Sequence, residues 1–288
     1  MKNVEFKKFA QNIDVTHFLH YKEYLSAIYN HIKASSDSYS YLLFSEDLGF
    51  TKTNVSWLFI TGRRSLTPIA TKKISDAVGL KKDERKYFQH LIKYNKARVS
   101  ADRENHFKKL MELKSKLLDS KESKQALEYF SEWFHPVIRE MTNLKGFKAK
   151  PEWVKNRLIN KLLPKQIKES LVLLEQLGLI KYNNDTGDFE SSGESITPER
   201  EVEKLAAVRF HQKMIEIAKE SLTRVPRERR EINALTVSIS PEVFEQIKPL
   251  IYKLFEEILE LENACKDKED VYQLNVQLFP FTKIDNEV

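Results

Sequence analysis

Between residues 52 and 64 the chain sets Lys52, Thr53, Asn54 and Ser56 at the head of a short, apolar-backed segment, and Arg63 and Arg64 directly after Gly62. An ammonium, two hydroxyls and an amide together supply the donors and acceptors that base edges present in a major groove. Two guanidinium groups at the far end suit phosphate oxygens, which they grip with paired N–H donors. Lys72 and Lys73 add a second basic pair soon after. Lys52, Thr53, Asn54 and Ser56 are therefore the candidates for base contacts. Arg63, Arg64, Lys72 and Lys73 are the candidates for phosphate contacts, with double-stranded DNA as the implied partner.

Such residues do this work only if two helices hold them. Residues 40–48 have the spacing of a short helix, with Phe44 and Leu48 one turn apart and able to face a core. Ser45 is small enough for another helix to cross closely, and Gly49 permits a left-handed turn. Val55, Leu58 and Phe59 give the second helix, about 52–61, its buried side. Thr67 followed by Pro68 is a strong helix start, and Gly79 a stop. Further helices are expected at 19–33 and 82–97. Carried by Ser45, Gly49, Val55 and Gly62, the stretch 41–64 resembles the Cro/C1-type helix-turn-helix, whose second helix commonly ends in glycine and basic residues. The span 55–62 is one residue longer than that pattern, which leaves the register of the reading helix open. The resemblance implies major-groove reading, with dimerisation for useful specificity.

Charge agrees with this placement. The formal net charge of the whole chain is +6. Residues 1–100 hold 17 Lys/Arg against 9 Asp/Glu, so their net is +8, and the remainder nets −2. A basic module on a near-neutral body is the footprint of a nucleic-acid reader with an attached domain. With 41% hydrophobic residues and few Gly or Pro, the chain is expected to fold as a mainly helical protein. No apolar run is long enough for a membrane span, the N-terminus lacks a signal-peptide core, and the single cysteine, Cys265, excludes an internal disulfide. A cytoplasmic location fits these features.

Beyond residue 100, helices are expected at 102–118, 123–143 (kinked or split by Pro136), 151–161, 164–177, 197–223 and 240–265. Residues 180–190 read as a hairpin around Asn183-Asn184-Asp185-Thr186-Gly187. Residues 151–190 are similar to winged-helix modules. Their mixed charge favours protein contact over a second DNA reader. Residues 235–239 and 271–279 alternate and read as two strands, which a right-handed crossover would set side by side and parallel. The stretches 133–140 and 271–280, and Arg227-Glu228-Arg229-Arg230-Glu231 with Thr236, are similar to a bacterial family of regulator-like proteins with a C-terminal domain of unknown function.

Enzyme signatures are lacking: the sequence has no glycine-rich phosphate loop, no His-Glu-x-x-His and no paired-cysteine metal site. Neither a metal nor another cofactor is expected. His135, Arg139 and His211 lie beside aromatics in amphipathic helices. They read either as a sensor pocket for an anionic effector or as satisfied groups at a helix interface. The expected architecture is thus a helix-turn-helix bundle (1–100), a helical linker with a winged-helix-like module (101–195) and a small α+β domain (196–288) for dimerisation or sensing. The function expected is a homodimeric, sequence-specific transcription regulator. The alternative is a non-enzymatic adaptor with a vestigial helix-turn-helix.

Overall fold

The computed structural model describes residues 3–51, 54–194 and 200–282. Their helices are α1 (Asn3–Gln11), α2 (Tyr21–Lys33), α3 (Tyr41–Asp47), α4 (Val55–Ile60), α5 (Pro68–Val78), α6 (Lys82–Lys96), α7 (Ser100–Leu117), α8 (Lys121–Ser131), α9 (Phe134–Met141), α10 (Pro151–Arg157), α11 (Pro164–Gln176), α12 (Arg200–Arg224) and α13 (Pro241–Ala264). Two strands, β1 (Ile180–Asn183) and β2 (Asp188–Ser191), pair antiparallel, with Ile180 opposite Ser191 and Asn183 opposite Asp188. The protein is mainly helical, with one small two-stranded sheet. It divides into two compact units: residues 1–127 with 198–206, and residues 128–197 with 207–288.

In the first unit, α2 buries Tyr21, Tyr24, Leu25, Ile28 and Ile32, a stripe at three- and four-residue spacing. α6 answers with Tyr87, Phe88, Leu91 and Ile92. α1, which the polar N-terminus did not announce, contributes Phe6 and Ala10, both fully buried. Side-chain caps open α3 and α5. Ser40 accepts from the Leu43 amide at 3.4 Å, and Thr67 from the Ala70 amide at 3.2 Å, with Pro68 opening α5. Each such cap contributes about 1 kcal/mol.

In the second unit, Ile138, Val154, Ile167, Leu174 and Leu179 form the centre of a core closed by α9, α10, α11 and β1. Pro136 falls in the first turn of α9, where its missing N–H interrupts nothing, and the expected long helix is split into α8 and α9. Asn183 directs the hairpin turn: its Oδ1 accepts from the Asp185 amide at 2.8 Å.

The C-terminal region departs from expectation. Residues 231–239 and 271–280 form no strand, and among the described residues no sheet joins them. The α+β character expected for 196–288 is thus not seen there. Alternation marks which side of an extended segment is apolar, but a strand exists only through a hydrogen-bonded neighbour. The arginine-rich loop is also more ordered than its composition suggests. Arg230 reaches back to the Ser221 and Val225 carbonyls at 2.8 and 2.6 Å, capping the end of α12, and Arg229 pairs with Asp270 at 3.0 Å.

Candidate nucleic-acid interface

α3 and α4 cross with two serines between them. Ser45 and Ser56 are both fully buried, and their hydroxyl oxygens lie 2.8 Å apart. Ser56 donates its amide to Ser45 Oγ at 3.0 Å and its hydroxyl to the Tyr41 carbonyl at 2.9 Å. Ser45 is left with one hydroxyl proton, which it gives to Ser56 Oγ or to the Tyr41 carbonyl at 2.8 Å. Both polar side chains are therefore satisfied in an otherwise apolar crossing, and their size sets how closely the helices approach.

This corrects the role expected for Ser56. Its side chain is locked in the crossing, so it does not face a groove. Val55 and Phe59 are buried with it, as expected. Leu58 is only partly buried and lies toward the other side with Asn54, Trp57 and Thr61. Positions 54, 57, 58 and 61 share one helical face by spacing alone. The spacing from Asn54 could have singled out Trp57, but sequence reasoning passed it over. Asn54 precedes α4 without using its side chain as a cap. Lys52 and Thr53 lie outside the described residues.

The turn between the helices rests on Gly49, at φ +81°. An added Cβ there would meet nothing within 4 Å, so the conformation itself is what demands glycine. Gly49→Ala is expected to lower stability by about 1 kcal/mol through backbone strain alone. Urea denaturation monitored by circular dichroism reads this directly, and an unchanged midpoint would contradict it.

Cations gather at the end of α4. Arg63 lies 4.6 Å from the centre of the Trp57 ring, and both Arg63 and Arg64 are exposed. The Lys22 side chain from α2 lies against Gly62, adding a charge that the sequence, 40 residues away, gave no hint of. Lys72 is exposed on α5. Lys73 is exposed too, but it donates to the Gly49 carbonyl at 3.2 Å and sits 5.5 Å from the Phe50 ring centre, beside Glu46, Asp47 and Asp76. Its first role is therefore to fasten the turn.

Of the two readings open for His135, Arg139 and His211, the effector pocket finds no support, since the three do not converge. His135 is buried in the core of the second unit, with Nδ1 2.9 Å from Ser170 Oγ and its ring 4.4 Å from that of Phe134. Burial pushes its pKa down to about 4, so it is neutral near pH 7 and offers no positive charge to an anion. Arg139 donates to the Glu194 carbonyl at 2.7 Å, and His211 is exposed on α12. The second unit does hold an open cavity of about 370 Å³, bordered by Trp133, Met141, Arg157, Arg224 and Tyr272, but none of the three expected residues lines it.

Residues 111–281 match the profile of a domain of unknown function, DUF4423. The chain belongs to the DUF4423 family. Most of the second unit falls inside the DUF4423 match, and the α3–α4 pair lies outside it. No curated protein and no solved structure matches the chain. Among the described residues no helix is long and apolar enough to cross a membrane, and no cluster of side chains is arranged to hold a metal ion.

Proposed function

We propose that this DUF4423 protein is a sequence-specific, double-stranded DNA-binding transcription regulator of the cytoplasm, with α3 and α4 as its helix-turn-helix. The observation that carries the reading is the polarity of α4. One side is sealed against α3 through Ser56, Val55 and Phe59, and the opposite side ends in Lys22, Arg63 and Arg64. A helix such as α4, about 10–12 Å across with its side chains, fits a major groove roughly 12 Å wide. Asn54, Trp57 and Thr61 then face the base edges. Asn54 offers the bidentate amide that suits adenine, and Trp57 offers an apolar surface for a thymine methyl. Arg63, Arg64, Lys22 and Lys72 hold phosphates.

In this reading α10, α11 and the β1–β2 hairpin make a winged-helix-like module. Its surface alternates Lys165 with Glu169 and Lys181 with Glu190, in ion pairs of 3.7 and 3.3 Å. Such a neutralised surface fits protein contact better than phosphate contact.

Fluorescence anisotropy with DNA from the protein's own promoter region, over a salt series, tests the proposal. Wild type is expected to lose affinity steeply with salt. Arg63→Ala/Arg64→Ala should lower the slope of log K against log salt by about 2, one unit or slightly less per phosphate contact. A folded wild type that ignores duplex DNA at low salt would overturn the proposal.

A further inference from the structure

Residues 231–239 and 271–280 leave the described structure with two extended segments that join no sheet. Among the described residues neither makes a backbone-to-backbone hydrogen bond. The second segment is anchored by side chains: Val271 packs on the core and Asn275 donates to the Met214 carbonyl at 3.2 Å. Along the two segments Leu235, Val237 and Ile239, then Tyr272, Leu274, Val276 and Leu278, alternate with polar residues, and all seven are exposed. α13, between them, has no buried residue and exposes Leu250, Tyr252, Leu254, Leu259 and Leu261.

This concentration is unusual for a surface. Among the described residues, 17 of the 26 exposed large hydrophobics lie within residues 232–281. Scattered apolar residues are ordinary on a protein surface; this concentration along one stretch of chain points to an interface. The chemistry of the missing occupant is set by the backbone. Unpaired N–H and C=O groups on an alternating apolar segment call for a strand with the same alternation. The chain carries two such segments, and in one copy they do not pair with each other.

We infer that this face is covered by a second copy of the chain, with residues 231–239 of each copy pairing with residues 271–279 of the other across a two-fold axis. That arrangement gives each extended segment a hydrogen-bonding partner of matching alternation. It is also closed: a two-fold interface uses one patch twice and stops at two chains. The available surface is sufficient. At roughly 60 Å² of apolar surface per side chain, the 17 residues offer on the order of 1,000 Å² per chain, above the ~800 Å² each partner gives to a standard interface. The dimer would supply the two-fold that half-site recognition needs, and it is tested without DNA so that either idea can fail alone.

The test is the mass of the full chain by light scattering on size exclusion, across a concentration series. Wild type is expected at twice 33.9 kDa. Val276→Pro removes one ladder N–H at a site where a single copy makes no backbone bond, so the monomer fold tolerates it. Leu274→Lys leaves the backbone intact and puts a charge in the contact. Each is expected to weaken association at least 100-fold and shift the chain to 33.9 kDa with its helical circular dichroism unchanged. If Val276→Pro fails to fold, Leu274→Lys decides. A wild type that stays at single-chain mass at 100-fold higher concentration, an assembly larger than two, or dimers indifferent to the substitutions would overturn the inference.

Discussion

Ser45→Leu is expected to lower the stability of the first unit by about 3 kcal/mol and to abolish any DNA binding that depends on α4. Two effects add. The crossing of α3 and α4 has been set by two hydroxymethyl groups with oxygens 2.8 Å apart, and three further carbons find no space there without separating the helices. The Ser56 amide, buried and bonded to Ser45 Oγ at 3.0 Å, also loses its acceptor. Leaving a buried amide unsatisfied costs about 1–3 kcal/mol, and overpacking a closed site adds a similar amount. Ser45→Ala separates the two: it removes the hydroxyl with no added volume and should cost only the hydrogen-bond part, about 1–2 kcal/mol. Urea denaturation of both variants reads the difference. If Ser45→Leu were as stable as Ser45→Ala, the helices would not be in close contact at this point and the polarity argued for α4 would fall.

How legible this arrangement was in the sequence depends on the range of the physics involved. Local backbone chemistry could be read directly. Thr67 and Ser240 each cap the helix they precede, and Pro68 and Pro241 open theirs. Gly49 and Gly79 take left-handed conformations, and the Asn183 turn closes the one hairpin. All of these are decided within four or five residues. Ser56 was misplaced because composition gives a side chain's capacity for hydrogen bonds but not its direction. Only the helical phase, with Val55 and Phe59 on the same side, turns it inward. Lys22 was missed because it reaches Gly62 from another helix. The two C-terminal segments show the remaining limit. Their alternation was visible, but strand formation is a property of a pair, and neither finds its pair within the described chain.

His135 read from the sequence either as a pocket residue or as a satisfied group at a helix interface; its burial against Ser170 fits the second and makes it an acid-sensitive core residue, with a measurable consequence. Its pKa is pushed down to about 4 from an ordinary value of 6.5 because the buried ring, stacked near Tyr129 and Phe134, loses the solvation that the imidazolium needs. The folded state therefore prefers the neutral ring. Above pH 6.5 the ring is neutral in both states and contributes no pH dependence. As the pH falls from about 6.5 to about 4, the unfolded chain takes up a proton that the folded chain refuses, and stability is lost throughout that window. About 2.5 units correspond to a loss of about 3 kcal/mol. His90, whose pKa is also lowered, first by burial and then by His106 at 3.2 Å, acts in the same direction in the first unit, so whole-protein unfolding alone would mix the two. Two measurements keep them apart. The NMR titration of the His135 ring protons should show an inflection near pH 4. In His135→Asn, which keeps a hydrogen-bonding atom for Ser170 but cannot titrate, the unfolding free energy followed through Trp133 and Trp153 should fall less steeply between pH 6.5 and 4 than in wild type, the remaining slope belonging to carboxylates such as Glu190 and Glu242. An inflection near 6.5 in the folded protein would mean that the ring is open to solvent, and would return His135 to the list of groups free to meet a ligand.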